Sequence, residues 1–529
     1  MSQKLAMAIS GAVSLGSYEA GVMYEILEAI RQHNHNLLND TKLTPSEKDR
    51  LKIEIDVITG ASAGAMTACI LAQKLMFEGE RLQKPFDNDL YNPWVREVDI
   101  DRLIKFTENP DFSILSSEEV KRIGEKYLLE RYTSPDDRFL KSDRGLAEVV
   151  RGHEVFHGDR HLAAAQELYI GLAMANLNGI DYKRDVSVGM GLSEFVYSRF
   201  QDRYLAKIQT QKTTEAYEPY SPGAIKIITD DRQSWELMEN LARSSGSFPF
   251  AFRPVAVTRQ AIEYPDNQTI NKAAKTFTYT DGGVFENEPL GMAQELATRI
   301  DRRKPDNSRF YLFVAPQPKS SSSNNINESV ANLLVTAQAL VRAIFNQARF
   351  RDWIIVSQGK EIQLKQNPPQ ETNIYSVIAE EQDLVGEGIS AFVGFFEEDY
   401  RKYDYFKGRI KARELLKSFK DNSDRNEPML QLNRFEFAPE QLILQHTKRS
   451  PERLEELASS QELALDEVER QTRIKIKKLL LNRLDRLIDL VYRDRGQFAW
   501  LRKRSPIRFI AKKFLNLYLS GKINELLRL

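Results

Sequence analysis

Residues 56–68 read DVITGASAGAMTA, and at their centre Gly60-Ala61-Ser62-Ala63-Gly64 fits the Gly-x-Ser-x-Gly pattern of a nucleophile elbow. Small neighbours there allow a sharp strand-to-helix turn that lifts a serine oxygen clear of a sheet, and the helix that follows aims N–H groups and its positive dipole end at the reacting centre. Taken alone, the five residues are more often a glycine-tolerant helix start. A serine hydroxyl becomes a competent nucleophile only when a neighbouring group takes its proton. Asp281-Gly282-Gly283, at the end of the strand-like run KTFTYT, supplies a carboxylate on a tight turn; an Asp-Gly turn is by itself more often a plain hairpin. The third element is GAVSLG (11–16), a glycine turn between a strand and a helix. Its backbone N–H groups at Gly11, Ala12 and Val13 can converge with that of Ala63 on a developing oxyanion, where one donor is worth about 3 to 4 kcal/mol. A dinucleotide loop needs Gly-x-Gly-x-x-Gly, whereas these positions are Gly11, Val13 and Gly16, and the Gly-Lys-Ser/Thr ending of a phosphate loop is missing.

Other residues offer rival chemistry. His153-Glu154-x-x-His157 matches the zinc-peptidase helix, but that motif needs a helix and a third ligand, and His161 comes too early for the extended form. The expectation is therefore no metal and no cofactor. His446 is the only histidine after Asp281 and would complete a Ser-Asp-His chain order, yet it lies beyond a linker and reads as a surface or packing residue. Cys69 falls in the apolar helix after the elbow and reads as core.

The elements that must position these turns are legible. KLAMAIS (4–10) reads as a buried strand, followed by a helix with Val22, Met23, Ile26, Leu27 and Ile30 on one face. IEIDVIT (53–59) is a second strand, and AMTACILAQKLMF after Gly64 a helix apolar nearly all round. Two strand-turn-helix units predict an α/β domain with a mostly parallel sheet, whose functional loops lie at the carboxyl ends of the strands. Residues 79–165 read as a helical cap with helices near 117–131 and 145–157, and 167–179 as a strand. A helix at 233–243 leads to SSGSFPFAFRPV, Pro289 opens another helix, and RFYLFVA (309–315) reads as the last strand. The catalytic domain thus spans 1–316, with a Ser/Pro/Asn-rich linker at 317–327, a helical accessory region at 328–469 and a basic amphipathic tail at 470–529. No internal repeat is present.

A chain of 529 residues with 42% hydrophobic and 28% charged residues has the composition of a soluble globular protein. One cysteine excludes an intrachain disulfide, the apolar stretch near the N-terminus is too short for a signal peptide, and no window holds the roughly 18 to 20 apolar residues of a membrane span. A cytoplasmic location with peripheral membrane association is the expectation. The zero net charge hides a segregation: residues 470–529 hold 17 Lys and Arg against four Asp and Glu. The stripe Leu480, Leu484, Leu487, Ile488 and Val491, bordered by cations, suits either an interfacial helix at an anionic membrane or a hairpin packed on the enzyme. No nucleic-acid recognition module is present.

Residues 4–316 resemble the patatin-like phospholipases. GAVSLGSYEAGV is similar to that family's oxyanion block, GASAG to its nucleophile elbow, DGGVFENEP to its aspartate block and ARSSGSFPFAFRPV to the segment before it. Residues 383–413 also resemble a longer bacterial patatin-related subgroup. The resemblance implies a three-layer α/β/α fold with a mostly parallel central sheet, plus a mainly α-helical C-terminal region. It further implies Ser62 as acyl-accepting nucleophile, Asp281 as its sole side-chain base, and lipid acyl esters as substrates. The family block is Gly-Gly-Gly-x-Arg-Gly, so Ala12, Val13 and Leu15 depart from it.

Overall fold

The computed structural model describes residues 2–104, 115–132, 160–188, 191–302 (apart from 221–222, 250 and 265–273), 309–316, 373–421 (apart from 381 and 388–390), 430–439 and 447–493, with scattered residues at 343–348 and 520–528. For 183–188, 191–195 and 483–493 it describes the backbone only.

Strand β1 (Gln3–Ile9) alternates in the way a central strand must. Leu5, Met7 and Ile9 face one layer, and the small Ala6 and Ala8 face the other. It pairs in parallel with β2 (Ile53–Gly60) on one side and β9 (Arg309–Ala315) on the other. Beyond β2 lies β3 (Ala164–Val188), also parallel, which pairs antiparallel with β4 (Gly191–Gln209). β6 (Ala224–Ile228) and the edge strand β5 (Tyr217–Pro219) follow. An antiparallel pair, β7 (Val255–Gln260) and β8 (Ala274–Asp281), joins through Met174–Asn176 of β3, which brings Asp281 opposite Met174.

Helices cover both faces of the sheet, which is why the central parallel strands β1 and β2 are buried along nearly their whole length. On the Leu5–Met7–Ile9 face lie α1 (Gly16–Asn39) and α2 (Ala63–Phe77), all fifteen residues of α2 being buried. α3 (Ser117–Leu129) and α4 (Arg232–Ser245) pack beside α2. On the Ala6–Ala8 face lies α5 (Leu290–Asp301), whose Leu290, Ala293, Leu296 and Ala297 join Val57 and Tyr169. This is the three-layer α/β/α arrangement that the resemblance implies, built on the mostly parallel sheet that the strand-turn-helix units predict.

The sheet does not end at residue 315. β10 (Asn373–Ile378) adds a parallel strand beyond β9, and α6 (Glu398–Asp421) lies along α1. The two helices approach so closely at Gly21 and Gly408 that each glycine sits within van der Waals reach of the other backbone. Glu25 of α1, buried in the seam, accepts from Arg409 at 2.8 Å and Arg413 at 2.6 Å. Contacts of that density cross the 316 boundary read from the linker composition, because a soluble spacer in the sequence says nothing about where the chain returns. Helices α7 (Pro451–Ser459), α8 (Gln461–Glu467) and α9 (Arg470–Arg493) complete the mainly helical C-terminal part. The cap helix read at 145–157 and the linker at 317–327 lie outside the described residues. No described helix is long and apolar enough to cross a membrane.

Candidate active site

The carboxyl ends of β1, β2 and β8 converge on one point. β2 ends at Gly60, and the chain turns through Ser62 into α2 with φ 53° and ψ −125°. That left-handed conformation is rare for any residue but glycine and stores about 1 to 3 kcal/mol. The packing around the turn enforces it: Ala61 N–H donates to the Ile9 carbonyl at 3.2 Å, and a Cβ on Gly64 would stand 2.3 Å from the Ser10 carbonyl oxygen. The neighbouring glycine is therefore required by close approach of the β1 backbone, not by chain flexibility.

Ser62 Oγ donates to Asp281 Oδ2 at 2.6 Å. Asp281 itself is fully buried at the end of β8, its other oxygen accepting from the Gly283 N–H at 2.7 Å. Gly282 lets the turn lie flat against β3, where a Cβ would meet the Ala173 carbonyl oxygen at 2.0 Å. Burial pushes the Asp281 carboxyl up from an ordinary 3.8 to about 7, against the lowering by the two hydrogen bonds it accepts.

Two further serines hold this geometry, and neither was identified from sequence. Ser245 Oγ accepts from Ser62 N–H at 3.0 Å and donates to the Ala173 carbonyl at 2.7 Å, tying the elbow to β3. The Ser247 carbonyl accepts from Asp281 N–H at 3.0 Å and from the Thr280 hydroxyl at 2.8 Å. Both belong to ARSSGSFPF, at the C-terminal end of α4. The available signal was three serines crowded around a helix-stopping glycine, where hydroxyls replace missing helical partners.

The glycine loop behaves differently from expectation at its first position. Gly11 N–H donates to the Asn287 carbonyl at 3.0 Å and is taken. Ala12, Val13 and Ala63 carry N–H groups without a hydrogen-bond acceptor among the described residues. Val13 has φ 53°, a second strained non-glycine residue beside the first. Gly16 opens α1 beneath the Trp94 ring, and Leu15 is fully buried.

An apolar cavity of about 70 Å³ lies against Ser62, lined by Val13, Met66, Trp94, Phe248 and Phe395 among others. A larger polar one of about 670 Å³ sits at the opposite, amino ends of β1 to β3. Glu54 lies there between Lys4 at 2.6 Å and Lys52 at 2.7 Å, and the cavity is remote from the Ser62 turn.

Of the rival residues, His153, Glu154, His157 and His446 lie outside the described residues. His161 is buried, accepts at Nδ1 from Ala163 N–H at 3.2 Å, and burial lowers its imidazole to about 4. No group of three or more metal-ligating side chains occurs among the described residues. Cys69 is core, as its apolar helix predicts, and burial pushes its thiol well up.

The three strand ends thus bring together a strained serine on a strand-to-helix turn, a buried aspartate bonded to it and an apolar cavity, on a three-layer α/β protein. The model of the patatin-like phospholipase family matches residues 7–293, so the chain belongs to that family. It is also 22% identical over 476 residues to the uncharacterized protein y4iI of Sinorhizobium fredii, an alignment covering 78% of this chain and 64% of that one. The chain thus spans a little under two thirds of that relative's length.

Proposed function

We propose that the protein is a serine acyl hydrolase that cleaves fatty-acyl esters of phospholipids through a Ser62–Asp281 dyad. The observation that supports this reading best is the 2.6 Å hydrogen bond from Ser62 Oγ to a carboxylate buried without any histidine between them. A base titrating near 7 is half ionised at neutral pH, which suits a group that must first take and then return a proton. Asp281 removes the Ser62 proton as Oγ attacks the ester carbonyl. N–H groups of Ala12, Val13 and Ala63 receive the oxyanion, each worth about 3 to 4 kcal/mol in comparable sites. Collapse expels the lysophospholipid alkoxide, which takes the proton from Asp281, and water activated by the same carboxylate then releases the fatty acid.

The test is fatty-acid release from phosphatidylcholine and phosphatidylglycerol vesicles with and without EDTA. Release that EDTA leaves unchanged is expected. Absence of release, or release abolished by EDTA, contradicts the reading, and casein hydrolysis that EDTA abolishes would favour the HEVFH zinc-peptidase alternative. Vesicle binding without fatty-acid release would instead mark a lipid-binding or scaffold protein.

Peripheral membrane contact through residues 470–529 belongs to the same proposal. Its support is the tail's excess of 17 cations over four anions, each cation being worth on the order of 1 kcal/mol at an anionic surface. The start of α9 is committed elsewhere: Ile476 is buried, and Leu479 to Leu481 pack against the main core. Leu480 therefore belongs to the body, as do Ile523 and Leu527, which are buried in the same core, and contact with lipid falls to the residues between them. Deleting 494–529 is expected to weaken binding to phosphatidylglycerol vesicles at least tenfold at 0.05 M salt and much less at 0.5 M, as read by co-sedimentation. Binding unaffected by the deletion, or insensitive to salt, contradicts it.

A further inference from the structure

The segment after β10 reaches back to the active site, beyond the last residue that the family model matches. Phe395 lines the apolar cavity beside Ser62. Phe392 stacks edge-on against Phe248, another lining residue, with ring centroids 5.8 Å apart. The Ser14 hydroxyl, inside the glycine loop, donates to the Ala391 carbonyl. Leu15, where the family pattern carries arginine, lies against Gly386 of the same segment. The loop is therefore braced from outside by residues that a 7–293 domain does not contain.

Arg401 of α6 fixes that brace. Its side chain is 1% exposed, a costly place for a guanidinium unless carbonyls surround it. Its Nε donates to the Val95 carbonyl at 2.8 Å, and one Nη donates to the carbonyls of Gly394 at 2.9 Å and Phe395 at 3.1 Å. The other Nη lies 3.6 Å from Asp99. Val95 follows Trp94, so one planar fork ties together two walls of the cavity, Trp94 from the cap and Phe395 from the C-terminal segment. Lysine, a single point charge, cannot span these acceptors.

We propose that Phe395 is the specificity-determining wall of the acyl site and that Arg401 is its positioning residue, so that acyl-chain preference is set by the region beyond residue 316. This rests on the acyl-hydrolase reading above.

The test uses the full chain and p-nitrophenyl esters of four, eight and twelve carbons. Phe395→Ala is expected to raise the ratio of kcat/KM for the twelve-carbon to the four-carbon ester at least tenfold, and Phe395→Trp to lower it at least fivefold. Arg401→Lys is expected to raise KM for the eight-carbon ester at least fivefold more than it lowers kcat. A melting curve confirms that each variant is folded. An unchanged chain-length ratio in both folded Phe395 variants overturns the proposal while leaving the acyl-hydrolase reading standing. A wild-type chain that hydrolyses none of the esters overturns both.

Discussion

Asp281→Asn is expected to lower ester turnover about 10³- to 10⁴-fold while making the protein more resistant to heat at pH 8. The first effect follows from removal of the only side-chain base that the Ser62 hydroxyl touches among the described residues, general-base assistance contributing about 10² to 10⁴ in comparable enzymes. The second follows from linkage. The folded carboxyl holds its proton up to about pH 7, whereas an unfolded one releases it near 3.8. The folded state therefore binds more protons across that window, and stability from this group, fully present below 3.8, is lost as pH rises through about 7. At about 1.4 kcal/mol per unit, the buried charge costs on the order of 4 kcal/mol at pH 8. Asparagine keeps the shape and removes that cost. The variant's advantage in melting temperature should shrink steadily between pH 8 and pH 5, and wild-type activity should rise with an apparent pKa near 7. An advantage that grows toward low pH would contradict the assignment.

Ser62→Ala is expected to reduce turnover about 10⁴- to 10⁶-fold, the scale seen when a nucleophile is removed from an acyl-transfer site. Strain provides a separate signature. Alanine retains the penalty of φ 53°, ψ −125°, whereas glycine does not. Ser62→Gly should therefore be equally inactive yet more stable than Ser62→Ala, by about 1 kcal/mol in urea titrations. Equal stability of the two variants would mean that the turn relaxes when the hydroxyl is gone. Activity retained by either would remove Ser62 from the reaction.

The site was legible wherever its chemistry is local. Gly60 to Gly64 and Asp281 to Gly283 are short motifs at strand ends, and although either alone reads as a helix start or a hairpin, their joint fit with the glycine loop singles them out. The central strands β1 and β2 were legible for a related reason, β1 as a short apolar run and β2 as a run rich in β-branched residues. What sequence hid was long-range. Ser245 reaches Ser62 across 183 positions, and Arg401 reaches Val95 across 306. Neither residue type nor spacing carries such a partnership. Gly11 was misjudged because its N–H looks identical to that of Val13 until the Asn287 carbonyl is placed against it. β4 was missed although Tyr204, Ala206 and Ile208 alternate with Arg203 and Lys207, since the charges mask a strand buried mainly on one face. β10, with its alternating NIYSVI, lies beyond a Ser/Asn-rich stretch that looked like the end of the α/β unit.

The departures at Val13 and Leu15 also acquire a physical setting. Val13 narrows the cavity beside Ser62, and Leu15 replaces a charge with an apolar contact to the returning C-terminal segment. Ser14 bonding to Ala391 ties the glycine loop to that segment.

The most direct measurement of the dyad is covalent labelling of the purified full chain with a fluorophosphonate, followed by mass mapping of the modified peptide. The account predicts one label per chain, on Ser62, absent from Ser62→Ala and slowed at least a hundredfold in Asp281→Asn. Equal labelling of wild type and Ser62→Ala, or a label mapped to another residue, would contradict it.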